Sequence, residues 1–276
     1  MPKLPRVSVR KKHGFCLGRT MVVLRVGAQN KIYRAHEDLL CASSPLFREH
    51  IQPNRQDAEG DCSICHEELL PGICELEYCR ASCGGNFHAS CLDKWEEQAA
   101  PAVAKCPLCR HDLTIPPART RLLRTVSERA FDIYIEWLYR SKILVGTVDD
   151  EDWLEDLVEA YTVGLHLEDQ RFNKAILQSI VEVCVQESEY PSLYALQMAY
   201  EKTPGPCNLR DLLVGLYAES DLEHAMDGID TCGEEMPTEF WRDLTSALIK
   251  RRADAEDYTV ESLTTELLPD LFPSDE

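Results

Sequence analysis

The chain has 276 residues, 44% of them apolar, and a formal net charge of -19; this is material for one large core or two modest ones, so one to three folded domains are expected. No apolar run approaches the roughly 18 to 20 residues that span a bilayer, and the basic start, Met1 to Lys12, lacks the apolar stretch of a signal peptide, which points to a soluble intracellular protein of cytoplasm or nucleus. No Asp or Glu precedes Glu37, whereas residues 142 to 276 hold 31 acidic against 9 basic side chains, a balance that argues against nucleic acid or an anionic membrane as direct partner.

In chain order, residues 1 to 20 are basic and partly apolar, and read either as a mobile terminus or as an extension of an interface. Met21 to Gly27 reads as a strand, Ala28 to Asn30 as a turn, and Lys31 to Arg34 as a second strand, so a hairpin opens the fold. Glu37 to Ala42 forms a short helix. Ser44-Pro45 supplies an N-cap with proline at the first helical position of another, running through Phe47 to Ile51.

Thirteen cysteines follow an uneven distribution, with eight of them between Cys62 and Cys109, largely as Cys-x-x-Cys pairs. In a small secreted chain this would suggest disulfides; here the clustering points to metal. The candidate ligands are Cys62, Cys65, Cys79, Cys83, His88, Cys91, Cys106 and Cys109, enough for two tetrahedral sites. Two or three residues within a pair let one tight turn aim both side chains at one ion, while longer gaps between pairs let the chain reach a second. Thiolate with imidazole suits zinc, two ions per chain, and nothing in the pattern suits iron–sulfur chemistry. Cys74 stays outside this register as a free thiol, and His66 and His111, each beside a ligand, read as solvent-facing. The cysteines at 16, 41, 184, 207 and 232 read as buried small apolar residues.

After Thr114-Ile-Pro-Pro117, Ser127-Glu128 caps a helix whose Phe131, Ile135 and Leu138 recur at helical spacing. Further stripes run Leu154, Leu157, Val158, Tyr161 and, after a break expected near Gly164, Phe172, Ile176, Ile180, Val183. Three more helices are expected at Leu193 to Tyr200, Leu209 to Tyr217 and Thr238 to Leu248, separated by Thr203-Pro-Gly-Pro206 and the acidic Glu219 to Glu235 stretch. From Ala253 onward the sequence is acidic, poorly periodic and expected to be disordered.

The cysteine-rich segment resembles a RING finger, in which the first and third ligand pairs bind one ion and the second and fourth bind the other. Carried over, that gives Cys62, Cys65, His88 and Cys91 for one site and Cys79, Cys83, Cys106 and Cys109 for the other. The order of seven cysteines and one histidine is shared with PHD fingers, which read histone tails. The residues between ligands favour a RING: Ala104 stands where a PHD finger has an aromatic, whereas Ile64, Trp95 and Pro107 match the RING groove for a ubiquitin-conjugating enzyme, and Arg110 matches the basic residue that touches both that enzyme and its ubiquitin. The resemblance implies a RING-type ubiquitin-protein ligase with no catalytic nucleophile of its own, acting by orientation. Two crossed metal clips supply the constraint that so small a core lacks, so this segment is expected to unfold without zinc.

The flanking segments resemble the BTB (POZ) domain in its fungal versions, on Val22 to Gly27, Tyr33 to His36, Leu39 through Ser43-Ser44 to Phe47, Ala130-Phe131 through Trp137 to Tyr139, and Leu157 to Ile180. The expected class is therefore α+β: a BTB/POZ first part at 17–56, an inserted RING-type finger at 57–113, a BTB/POZ second part at 114–188, a helical extension at 189–252 and an acidic tail at 253–276. The resemblance implies a homodimer and a protein substrate platform, and no cullin-contact motif stands out. A non-enzymatic BTB scaffold or adaptor with a structural zinc finger, and a PHD-like histone-tail reader, are the alternatives.

Overall fold

The structure, a computed structural model, describes residues 16–113, 120–144, 153–187, 191–219 and 236–254. It is an α+β protein that divides into two compact units, one built from residues 1–25 with 32–122 and the other from 26–31 with 123–276.

The first unit holds a three-stranded sheet of order β2-β1-β5, made from β1 (Met21–Val26), β2 (Lys31–His36) and β5 (Thr120–Leu123). Burial alternates along the hairpin: Val22, Leu24, Val26, Tyr33 and Ala35 are buried, while Met21, Arg25, Ile32 and Arg34 face water. Helices α1 (Glu37–Ser43) and α2 (Pro45–Ile51) follow. The break between them is chemical, since Ser44 Oγ accepts the Phe47 N–H at 3.2 Å and Pro45 occupies the first turn. Leu40, Phe47 and Ile51 are buried beneath them.

Between α2 and β5 the same unit contains a two-stranded antiparallel sheet of β3 (Leu76–Tyr78) and β4 (Asn86–His88), then α3 (Ala89–Ala99). The core here is small: Leu69, Leu76, Phe87 and Leu92 close over Cys62, Cys79 and Cys106. The polar stretch entering it is anchored rather than slack. Gln52 is buried, Arg55 pairs with Asp38, and the Gln56 N–H donates to the Gly84 carbonyl at 3.0 Å.

The second unit is helical, with α4 (Glu128–Arg140), α5 (Trp153–His166), α6 (Gln170–Glu187), α7 (Leu193–Lys202), α8 (Asn208–Glu219) and α9 (Thr238–Asp254). Phe131, Tyr134, Trp137 and Phe172 form its aromatic centre, with Tyr134 edge-on to Phe172 at 5.0 Å between centroids. Asp169 is fully buried yet satisfied: one carboxylate oxygen accepts the Phe172 N–H at 3.0 Å and the other accepts the Tyr134 hydroxyl at 3.1 Å. Arg210, also buried, donates to the Tyr200 and Thr203 carbonyls and lies 4.4 Å over the Tyr200 ring, which fixes the turn after α7.

One expectation is refined and two are corrected. The break expected near Gly164 falls at residues 167–169, between α5 and α6, while Gly164 itself lies in the last turns of α5, where a Cβ would come within 1.9 Å of Asn173 Oδ1; the glycine permits close approach of α6. On α6 the core face turns through Val181 and Cys184 rather than Val183. Cys16 and Cys207 are half-buried, whereas Cys41 and Cys184 are buried; Cys232 lies outside the described residues, as do the Glu219 to Glu235 stretch after Glu219 and the tail from residue 255. No helix among the described residues is long and apolar enough to cross a membrane.

Candidate metal centre

The eight ligand candidates gather into two groups, Cys62, Cys65, His88 and Cys91 in one and Cys79, Cys83, Cys106 and Cys109 in the other, with the donor atoms of each group within 4.8 Å of one another. The pairing interleaves along the chain, first with third and second with fourth. Strands β3 and β4 enforce this. Leu76 pairs with His88 at one end of the ladder and Tyr78 with Asn86 at the other, and Cys79 continues β3 with its N–H bonded to the Gly85 carbonyl. Three residues of strand therefore separate His88 from Cys79, about 10 Å at the usual rise, so the two cannot reach one ion.

Two of the four pairs share one local fold. In the first, the Cys62 N–H donates to the Glu67 carbonyl and the His66 N–H to the Cys62 carbonyl, both at 2.8 Å; in the last, Cys106 N–H donates to His111 at 2.8 Å and Arg110 N–H to Cys106 at 3.0 Å. Each turn is closed by a bridge, Asp61 with Glu68 and Lys105 with Asp112. Each places a non-glycine residue in the left-handed region, His66 at φ 60° and Arg110 at φ 64°. That conformation costs about 1 kcal/mol, and it turns successive amides toward the sulfur. The Cys109 thiol is thereby lowered to about 5, chiefly by the His111 amide. Burial alone would raise Cys62, but the amides of Cys65, His88 and Ile64 bring it down to about 7. Cys83, where burial dominates, is raised to about 12.

These distances fit tetrahedral zinc. A tetrahedron with Zn–S bonds near 2.3 Å has edges of about 3.8 Å, and Cys79 Sγ to Cys109 Sγ and Cys83 Sγ to Cys106 Sγ are both 3.7 Å. In the other group Cys65 Sγ lies 3.3 Å from His88 Nδ1, and His88 Nε2 is 3.2 Å from the Glu68 carbonyl. That carbonyl accepts the Nε2 proton, leaving Nδ1 as the lone pair that faces the thiols, the usual orienting partner of a ligand histidine. Two groups of four soft donors can thus hold two metal ions.

Cys74 belongs to neither group; it is half-buried and packs against the module's small core. His66 and His111 are exposed. Among the groove candidates, Ile64 is half-buried against that core, Pro107 is half-buried, Trp95 is 39% exposed, and Arg110 is exposed. The Trp95 indole N–H donates to the Lys105 carbonyl at 2.8 Å, which pins the ring of α3 beside the last ligand turn. Leu108, 53% exposed, was missed by the sequence reading, although the matched spacing of Cys62-Ser-Ile64-Cys65 and Cys106-Pro-Leu108-Cys109 signals that it is the counterpart of Ile64.

A buried polar network ties this module to α1, and no sequence signal marked it. Arg80 donates to Glu37 Oε1 at 2.7 Å and to Thr20 Oγ1 at 3.2 Å, and Gln52 donates to the same Glu37 oxygen at 2.9 Å. The guanidinium groups of Arg80 and Arg55 both lie over the Tyr78 ring, at 4.4 and 4.8 Å from its centroid. Burial pushes the Tyr78 phenol up, out of any working range. Gly84, at φ +69°, completes the contact: a Cβ there would meet the Asn54 carbonyl oxygen at 1.5 Å. No protein-family model, curated protein or solved structure matches the chain.

Proposed function

We propose that the two metal sites hold zinc and that the module is a RING-type finger recruiting a ubiquitin-conjugating enzyme, so that the chain works as a ubiquitin ligase without a nucleophile of its own. The observation that carries this reading is the interleaved pairing of the eight donors, combined with apolar side chains left exposed at Trp95 and Leu108 beside the ligand turns. Zinc held by these residues would offset part of the thiolate charge and fix the turns. Ile64, Trp95, Pro107 and Leu108 then offer apolar contact, and Arg110, held at the end of its turn by a left-handed backbone, presents a planar fork for hydrogen bonds to the enzyme and its ubiquitin. The gain is orientational: a thioester conjugate held in one folded-back pose exposes its carbonyl to a substrate lysine.

The surrounding sheet and short helices fit a BTB/POZ-like platform split by the insertion. In support, β5 follows the zinc module in sequence yet returns to lie beside β1 in the same sheet. On this reading the platform dimerises or holds the protein substrate. An assay with a panel of conjugating enzymes tests the proposal, comparing the wild-type chain with Arg110→Ala and Ile64→Ala. Chain formation by the wild type, reduced at least tenfold in both variants with zinc retained, supports it. No transfer across a broad panel by a chain carrying two zinc ions would leave a non-enzymatic scaffold instead, and selective capture of a histone-tail peptide would turn the module into a reader.

A further inference from the structure

The outward face of the β1–β2 hairpin carries two exposed arginines on a chain of net charge -19. Because side chains alternate along each strand, burying Val22, Leu24, Tyr33 and Ala35 leaves Met21, Val23 and Arg25 on the other side of β1 and Ile32 and Arg34 on the other side of β2. Met21 is 39% and Ile32 50% exposed. Arg25 and Arg34 are exposed, and among the described residues neither has an ion pair, unlike Arg19, Arg48, Arg55 and Arg80 of the same unit. Apolar and cationic side chains thus interleave on an open sheet face.

A ligand for such a face needs carboxylates spaced among apolar side chains. Residues 255 to 276 have that composition: Glu256, Asp257, Glu261, Glu266 and Asp270 alternate with Val260, Leu263, Leu267, Leu268, Leu271 and Phe272, and no Lys or Arg occurs among them. We propose that the Met21–Arg25 and Ile32–Arg34 face binds the acidic carboxy-terminal segment, residues 255–276, of a second copy of this chain. Reciprocal exchange, each copy donating one segment and receiving one, closes the pair with two-fold symmetry rather than extending it into a filament. The contact is independent of the zinc module's partner. Arg25 and Arg34 supply direction through charge, while Met21 and Ile32 accept the leucine side chains.

Fluorescence anisotropy with a labelled synthetic peptide of residues 255–276 tests the contact on the full-length chain. Binding is expected to weaken at least tenfold in the Arg25→Glu/Arg34→Glu double variant and several-fold between 50 and 300 mM salt, in keeping with about two screened ion pairs. The milder Arg25→Gln/Arg34→Gln pair guards against a folding defect, and peptide carrying Glu266→Lys and Asp270→Lys is expected to regain affinity for the Arg-to-Glu variant. Zero-length carboxyl–amine cross-linking of a mixture of isotopically light and heavy Arg34→Lys chains, which place an amine on the face itself, then reports the donor: links between position 34 and the 255–276 segment that join light to heavy copies support the proposal. Peptide that binds the charge-reversed and wild-type chains equally, no binding at all, or cross-links confined to single copies would overturn it.

Discussion

The two units solve the same problem, closing a core, with different materials. The helical unit does it with bulk: Phe131, Tyr134, Trp137 and Phe172 meet at ring distances of 5.0 to 6.0 Å, and the buried Asp169 is satisfied on both oxygens. In the unit with the ligand clusters the small core of Leu69, Leu76, Phe87 and Leu92 closes over the thiols, and donor groups and a buried ionic network complete it. An apolar core stabilises in proportion to the area it removes from water, so it tolerates local loss. A core of ligands and ion pairs fails as a set, because each missing partner strands a buried charge or a bare thiolate.

The widest effect expected from that contrast is on metal removal. A strong zinc chelator should abolish hydrogen-exchange protection through β3, β4 and α3, and should also lower it in α1 and α2, because Arg80, Tyr78 and Gly84 carry the module's geometry to Glu37 and Asn54. Helices α4 to α8 should stay protected. Equal loss in both units would break the comparison.

Phe172→Ala removes the ring at the centre of the aromatic cluster and should cost about 4 kcal/mol in the helical unit, read as a shift in chemical denaturation, while metal analysis finds the same metal content as in the wild type. Arg80→Ala strands the buried Glu37 carboxylate, whose side chain is only 5% exposed, and should cost roughly 3 kcal/mol in the other unit. Exchange in α1 should rise in that variant but not in α4 of the same molecules; a change confined to β3 would show that the network is merely local.

Cys74→Ser should have the smallest effect, within about 1 kcal/mol, and should keep both metal ions, since Cys74 lies in neither donor group. Cys79→Ser is its counterpart and should lose one ion. The reverse pattern would mean that the donors are grouped differently from the structure.

Much of this was legible in the sequence because it depends on short-range spacing. Cysteine pairs two or three residues apart fix a ligand turn whatever surrounds them, the Ala28 to Asn30 turn between two short runs marked β1 and β2, and Ser44-Pro45 and Ser127 announced helix starts that their hydroxyl caps confirm. The break near Gly164 was legible to within a few residues, but the second role of that glycine, letting α6 approach α5, was not, because it depends on Asn173 being in place. Glu37 and Arg80 carried no signal at all, since a charge on a short helix reads as solvated surface when its partner lies 43 residues away.

By itself, then, the sequence determined which atoms were available to bind metal, and the local turns that aim them, because both follow from covalent spacing of a few residues. Which pairs gather together was implied by a resemblance, and only the tertiary structure supplied the physical reason, the three-residue offset of His88 and Cys79 across the β3–β4 ladder. It alone also decided that the module is tied to α1 rather than hung on a loose linker. Those outcomes depend on groups tens of residues apart meeting in a dry interior, where an unpaired charge is expensive and a paired one becomes a constraint.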